Sequence, residues 1–179
     1  MISLIRECGG KKYIKSIRAL ARHEDTEVAI EAVRTLLHFK TPDAVSHLKL
    51  YLSHDNPDVR DRAVKLAGLY KVKEVVPYLI EILEKKDILG TESYYKISAV
   101  QALAEIGDTR AVETFKKIYN SKTLLFRSNL EDLKLEIFRN IHKYPLEAVK
   151  SLLELGINSK NKEIATISRR LLEGGKGSA

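Results

Sequence analysis

The sequence predicts an all-α fold, an α-solenoid of about five antiparallel helix hairpins, and three observations lead to that prediction. Stretches of the chain repeat one another, and in each copy the apolar residues recur every three or four positions. Aromatic residues make up only 7% of the 179 residues and tryptophan is absent, whereas a β-sandwich is usually richer in aromatic and turn residues. A hydrophobic fraction of 44% is enough for a packed core.

The first two hairpins are predicted from a match without gaps. Residues 13–40 align with residues 44–71, and each copy has two apolar stretches separated by a polar break. In the two breaks, Asp25 and Asn56 can each cap the N-terminus of the helix that follows. Pro57 suits the first turn of that helix, where a missing N–H costs nothing. Each copy is therefore a helix–turn–helix hairpin.

Three further hairpins follow, and two of them have longer connections. The second helix of the third copy covers residues 96–106, after a loop that has grown by five residues. Gly107 ends that hairpin, and the last helices of the next two copies cover about residues 130–142 and 162–173. The predicted repeats are 10–40, 41–71, 72–107, 108–145 and 146–173.

The two ends of the chain are expected to differ from the repeats. Residues 1–9 match the second helix of a hairpin whose first helix is missing. We therefore expect a half repeat, either because the chain is a segment of a longer protein or because its cap is half built. Residues 174–179 are rich in glycine and are expected to form a flexible tail. Residues 1–173 are predicted to form one domain.

Two segments of the chain resemble HEAT repeats of the short bacterial type, known as PBS-lyase HEAT-like repeats. These segments are Asn56–Gly68 and Ala99–Asp108, in which small residues let neighbouring helices approach closely. The resemblance implies a stacked helical array and is nearly silent about function. It also implies that Asp58 and Arg60 tie adjacent repeats together, whereas the first copy departs from this pattern and has Glu27 and Ala29 at the equivalent positions.

Composition and motifs point away from catalysis. The single cysteine, Cys8, excludes a disulfide framework and a four-thiolate zinc site. No apolar run approaches the roughly 20 residues that span a bilayer. The chain has neither a phosphate-binding G-x-x-x-x-G-K-[ST] loop nor a G-x-S-x-G nucleophile elbow. We expect a cytoplasmic, monomeric protein that is not an enzyme and needs no cofactor.

Two histidine–acid pairs, at residues 23–24 and 54–55, recur at the repeat spacing. Deoxyhypusine hydroxylases are HEAT-repeat enzymes that bind iron through His-Glu pairs, but theirs lie early in the second helix. Residues 60–61 and 96–97 hold that place here, and neither pair contains histidine. We therefore interpret the two histidines as residues at helix C-termini that meet the negative end of the helix dipole, and no metal site is predicted.

The net charge of +7 raises the question of an acidic partner. In HEAT arrays the second helices line the concave face, and equivalent positions on them form a predicted basic row. A basic row can follow phosphates or an acidic peptide, and HEAT-like alkylpurine DNA glycosylases hold DNA on such a surface. The flanking positions include Glu31 and Glu136, which weaken the field, and no aromatic residue stands beside the row to stack a base. The row consists of Arg34, Lys65, Gln101 and Arg139.

The two enlarged loops occupy matching places in successive repeats and carry apolar residues, which form a predicted apolar loop edge. Such an edge either anchors a partner protein or folds back over the helix ends and covers the seam between hairpins. The sequence thus predicts a non-catalytic scaffold for a partner protein, with nucleic-acid binding as the alternative. The apolar loop edge consists of Ile88, Leu89, Tyr94, Tyr95, Leu124, Leu125 and Phe126.

Overall fold

The structure is a computed structural model that describes residues 11–87, 92–123 and 126–174, and all the regular structure of these residues is helical. Single-turn 3₁₀ helices at Lys11–Tyr13, Lys73–Val75 and Ile141–Lys143 adjoin the α-helices. The α-helices of the described residues are α1 (Ile14–Leu20), α2 (Thr26–His38), α3 (Ala44–Leu52), α4 (Pro57–Leu69), α5 (Val76–Glu84), α6 (Ser93–Ile106), α7 (Ala111–Asn120), α8 (Arg127–Asn140), α9 (Leu146–Ile157) and α10 (Lys162–Gly174).

The chain divides into two compact units, Met1–Val75 and Val76–Ala179. The first unit holds the hairpins α1–α2 and α3–α4, and α2 packs against α4. The second unit holds the hairpins α5–α6, α7–α8 and α9–α10. Its first helices pack on one another in order, as do its second helices α6, α8 and α10. The all-α fold is confirmed, and within each unit the hairpins stack side by side as in an α-solenoid.

The predicted caps start the second helices of the first two hairpins. The Asp25 Oδ1 atom accepts a 2.9 Å hydrogen bond from the N–H of Glu27, and Asn56 Oδ1 accepts one of the same length from Asp58. Pro57 is the first residue of α4, as predicted. Asn161 repeats the device before α10, because its Oδ1 atom accepts a 3.0 Å bond from the N–H of Glu163.

The second helices of the first three hairpins are each followed by a residue in the left-handed backbone conformation. Gly107 has φ +68°, as expected for a glycine that ends a helix. Lys40 and Lys71 hold φ of 52° and 51° after α2 and α4, a conformation that costs a residue with a Cβ atom about 1 kcal/mol. The left-handed conformation of Lys71 turns the chain back, so that the N–H of Val72 donates a 2.9 Å bond to the carbonyl of Ala67.

The core consists of the apolar faces that the hairpins turn toward one another. The small residues singled out in the sequence, Ala63 and Ala67, are fully buried. Gly156 in α9 lies in a very tight contact. A Cβ atom there would overlap the Ser168 hydroxyl and lie 2.9 Å from Cζ of Phe138, so three helices meet at a point with no room for a side chain.

Two helices begin earlier than the sequence predicts. The helix α6 starts at Ser93 rather than 96, so Tyr94 and Tyr95 lie in its first turn and not in a loop. The Asp87 carboxylate accepts a 3.0 Å bond from the N–H of Glu92, which holds the chain just before this earlier start. The helix α8 starts at Arg127, about three residues early. The predictions for residues 1–9, Ile88, Leu89, Leu124, Leu125 and 175–179 lie outside the described residues.

Polar pairs also join successive hairpins of the first unit. The Glu27 carboxylate of α2 pairs with Arg62 of α4. Arg60, which the resemblance assigns to ties between repeats, donates from Nη1 to the carbonyls of His54 and Asp55 in its own hairpin, at 2.9 Å each. These bonds close the turn of one hairpin, because the arginine lies one helical turn after the cap and its side chain reaches back toward the end of α3.

Replacing Gly156 with alanine is expected to lower the free energy of unfolding. Overpacking of this kind costs about 1–3 kcal/mol, which exceeds the roughly 1 kcal/mol that alanine gains over glycine in a helix. Urea denaturation followed by circular dichroism measures the change. The matched control is Gly174→Ala, where a Cβ atom would have no neighbour within 4 Å among the described residues. Equal stability of the Gly156→Ala and Gly174→Ala variants would show that the close approach is absent.

The Asp43 carboxylate is expected to make stability depend on acid pH. Hydrogen bonds from the Arg18 guanidinium, one of them 3.1 Å long, lower the pKa of Asp43 from 3.8 to about 2. A carboxylate with a depressed pKa in the folded state contributes stability that is fully present above pH 3.8 and is lost as the pH falls through about 2. Asp43→Asn should therefore be less stable than the wild type at neutral pH, and the difference should vanish near pH 2.

Urea denaturation of the wild type and of Asp43→Asn across this pH range measures the difference. Asp55→Asn, which removes an exposed carboxylate of the turn before α4, is the control for a general effect of charge. A difference between wild type and Asp43→Asn that stays constant down to pH 2 would contradict the linkage.

Candidate functional site

In the first unit, both members of the predicted basic row have acidic partners. The Arg34 Nη1 atom donates to Glu31 Oε1 at 3.3 Å, and Lys65 Nζ lies 2.7 Å from Oδ2 of Asp61. Glu31 and Asp61 stand one turn before their partners on α2 and α4, the spacing at which opposite charges meet on a helix. Each positive charge is therefore offset by a carboxylate on its own helix.

The two members in the second unit also contact carboxylates, here across neighbouring helices. Gln101 on α6 donates a 2.8 Å bond to Glu136 on α8. Arg139 on α8 donates to both carboxylate oxygens of Glu163 on α10, at 2.8 and 3.2 Å, and this pairing lowers the pKa of Glu163. A two-pronged pair of this kind is the strongest geometry for an arginine and a carboxylate. These contacts join neighbouring helices of the second unit. They also reduce the positive potential of its part of the basic row.

The predicted apolar loop edge has three described members, which differ in their surroundings. Tyr94 is 61% exposed and Phe126 is 44% exposed, while Tyr95 is half-buried. Of these three, Phe126 lines an open cleft in the second unit. The structure therefore brings the second enlarged loop, through Phe126, to a concave surface and leaves Tyr94 on the first turn of α6.

The cleft has a volume of about 850 Å³ and lies where four helix ends meet. The C-terminal ends of α5 and α7 and the first turns of α6 and α8 form its walls. Sequence reasoning anticipated a contact surface at this edge but not a cavity, because the cavity depends on how far the ends of two hairpins stand apart. The apolar residues that line the cleft are Leu83, Ile118, Phe126, Leu130 and Leu133.

The polar lining of the cleft is predominantly basic. It includes five lysines and two acidic residues, together with small hydroxyl and amide side chains. Glu84 accepts hydrogen bonds from Lys117 at 3.1 Å and from Thr114 at 3.3 Å, so one of the acids is already paired within the wall. The polar residues that line the cleft are Glu84, Lys85, Lys86, Asp87, Ser93, Lys96, Thr114, Lys117, Ser121, Lys122, Thr123 and Asn129.

Two lysines of the second helices hold the helix ends at the cleft. Lys96 of α6 donates from Nζ to the carbonyl of Leu83 at 3.2 Å and to that of Lys85. Burial lowers the pKa of Lys96, against the opposing effect of nearby acidic side chains. Lys134 of α8 makes the equivalent contact, with Nζ 3.0 Å from the carbonyl of Ser121. Each lysine satisfies carbonyls that the end of a helix leaves without partners.

These capping lysines were not among the predicted site residues, although the repeat alignment carries a signal for them. Lys96 occupies the same repeat position as Arg60 of the first unit, and Lys134 occupies that position in the fourth repeat. In three hairpins a basic residue at this position reaches the end of the first helix, whereas the first hairpin has Ala29 there. The three side chains form a shared device for closing a hairpin.

The backbone of Phe126 adopts an unfavourable conformation at the mouth of the cleft. Its φ of 52° is left-handed, which is uncommon for any residue with a Cβ atom and more so for a bulky one. The N–H of Leu130 donates a 3.2 Å bond to the Phe126 carbonyl, so the residue serves as the cap of α8. Strained residues of this kind cluster at binding sites, where the surrounding structure maintains them.

The two repeated histidines contact the turn between the helices of their hairpins. The Nδ1 atom of His23 accepts a 3.0 Å bond from the N–H of Asp25, and Nδ1 of His54 accepts the same bond from Asn56. They therefore brace the turn that leads into the next helix. Among residues 11–87, 92–123 and 126–174, no group of three or more His, Cys, Asp or Glu side chains is placed to hold a metal ion.

None of the helices in the described part of the chain combines the length and the hydropathy of a segment that crosses a bilayer.

Comparison with known proteins supports a resemblance to HEAT repeats. Residues 48–130 match the family model described as HEAT repeats, so this part of the chain is similar to HEAT-repeat proteins. The crystal structure of an engineered protein, a target of the Northeast Structural Genomics Consortium, is similar with a TM-score of 0.57 and 22% sequence identity. The match covers 98% of this chain and 83% of that one, and it supports the α-solenoid fold. No curated protein matches.

Replacing Phe126 with glycine is expected to stabilise the protein relative to Phe126→Ala. Both variants lack the ring, but only glycine escapes the left-handed penalty of about 1 kcal/mol. The midpoint of urea denaturation measures the difference, and Lys71→Gly provides a parallel test at a second left-handed residue. A Phe126→Ala variant at least as stable as Phe126→Gly would show that the strain is not present.

Proposed function

We propose that this chain is a non-catalytic HEAT-repeat scaffold that binds a partner protein, and that the cleft of the second unit receives a segment of that partner. The observation that carries the proposal is the open cleft of about 850 Å³ with an apolar lining at the loop edge. Clefts that hold ligands typically measure about 300–1,000 Å³ and combine an apolar surface with a few polar groups. The cleft fits a short peptide better than it fits a flat interface.

Phe126 is the side chain best placed to anchor a partner. It is a large aromatic residue, 44% exposed at the cleft, and the caps made by Lys96 and Lys134 hold the walls around it. Aromatic anchors at the centre of a contact supply much of the binding energy between proteins. A rigid wall also lowers the entropy that is lost when the partner binds.

Nucleic-acid binding through the basic row is the alternative, and the contacts of the row weigh against it. Arg34, Lys65 and Arg139 each lie beside a carboxylate, so a phosphate must compete with that carboxylate for the positive charge. The net charge of +7 favours weak, salt-sensitive attraction to any polyanion. Such general attraction depends on the net charge of the protein, whereas binding at a specific site depends on the residues of that site. Substitution of a single site residue therefore weakens the second kind of binding much more than the first.

Selection from a displayed library of random peptides tests the proposal without assuming the partner's identity. We expect peptides that bind the purified protein and that lose affinity by about tenfold or more when Phe126 is replaced by glycine, as for an aromatic anchor. Phe126→Gly is the informative variant because it removes the ring without the left-handed penalty that Phe126→Ala retains, and its urea denaturation midpoint shows whether a loss of binding comes from unfolding. Tyr94→Ala, which removes a more exposed aromatic side chain that is not part of the cleft lining, is the matched control.

The proposal is overturned if no peptide is enriched, or if the enriched peptides bind Phe126→Gly as tightly as the wild type. The alternative is measured by anisotropy with a labelled DNA duplex and a labelled RNA. Binding that Arg139→Ala weakens and Phe126→Gly leaves unchanged would favour the basic row over the cleft.

A further inference from the structure

The charges around the cleft indicate what kind of segment would occupy it, an inference that rests on the proposed function. Five lysines line the cleft against two acidic residues. Both acids are engaged within the wall, because Glu84 accepts bonds from Lys117 and Thr114, and Asp87 accepts a bond from the N–H of Glu92. The two carboxylates of the cleft therefore form hydrogen bonds with other groups of the protein.

The helix ends at the cleft add to this imbalance. The carbonyl groups at the C-terminal ends of α5 and α7 would normally present partial negative charge there. Lys96 and Lys134 donate to those carbonyls and offset that charge. The first turns of α6 and α8, whose N–H groups carry partial positive charge, open onto the same space.

Lysines also surround the opening of the cleft. Lys85, Lys86 and Lys122 are exposed side chains that follow the ends of α5 and α7, and all three line the cleft. The deeper lining is apolar, with Leu83, Ile118 and Leu133 buried. A cation-rich rim around an apolar base matches a ligand that carries negative charge on both sides of a large apolar side chain.

We propose that the cleft binds an acidic peptide segment, with glutamate or aspartate residues on the lysine rim and a leucine or aromatic side chain beside Phe126. The chemistry excludes a basic segment, because its charges would face the lysines. It also favours a peptide over a nucleic acid, since the apolar base offers no stacking surface other than the single ring of Phe126 within the described lining.

Three synthetic peptides of about ten residues test this charge preference, each with a central Leu-Phe pair as expected for an apolar anchor. The flanking residues are glutamate in the first, glutamine in the second and lysine in the third. We expect the glutamate peptide to bind about tenfold more tightly than the glutamine peptide and the lysine peptide to bind least, as for charge-complementary contacts. The preference should weaken between about 50 and 500 mM salt because screening reduces it.

Reversing the charge of the rim sharpens the test. Lys86→Glu/Lys122→Glu should weaken the glutamate peptide by about tenfold and improve the lysine peptide, because the rim then repels acids. Lys150→Glu/Lys160→Glu changes the net charge of the protein equally at two exposed lysines outside the cleft lining and is the matched control. Equal effects of the two double variants would show that overall charge, and not the cleft, sets the preference.

The outcomes separate this inference from the proposed function. Equal binding of the glutamate and glutamine peptides, with loss of both in Phe126→Gly, would overturn the acidic preference and leave the cleft as a peptide site. Failure of every peptide, together with an empty library selection, would overturn both. Tighter binding of a labelled single-stranded oligonucleotide, lost in Lys86→Glu/Lys122→Glu, would replace the peptide with a nucleic acid as the occupant.

Discussion

Within each compact unit, the hairpins depend on burying their apolar faces against one another. The helix α1 has seven residues and α3 has nine, and helices of such length are not stable alone in water. Packing removes their apolar faces from water, and small residues at the contacts allow the helices to approach. Gly156 shows how close that approach is, because a single Cβ atom would overlap two neighbouring side chains.

The way a hairpin closes determines whether it leaves an open space. In the first unit, His23 and His54 brace short turns that bring the ends of the two helices together. In the first two hairpins of the second unit the connections are longer, and Lys96 and Lys134 satisfy carbonyls at the helix ends, as Arg60 does in the first unit. The longer connections separate the helix ends without leaving their polar groups unpaired, so a cleft can form at little cost.

The net charge of +7 does not show where the unpaired positive charges of the protein lie. Arg34 and Lys65 lie beside carboxylates of their own helices, and Arg139 pairs with a carboxylate of the neighbouring helix. The lysines at the cleft stand beside acids that are engaged within the wall. Position relative to carboxylates, and not the number of basic residues, therefore decides where a negatively charged partner would be attracted.

The sequence by itself determined the helical class, the repeat and the caps at Asp25 and Asn56, because these features depend on local spacing and on bonds between near neighbours. The earlier start of α6 could not be read from the sequence, since it rests on a bond between Asp87 and the backbone of Glu92 across a loop. Only the tertiary structure decided the contacts of Gln101 and Arg139 with carboxylates of neighbouring helices and the existence of the cleft. Both depend on distances between helices, which packing sets and which a linear pattern does not contain.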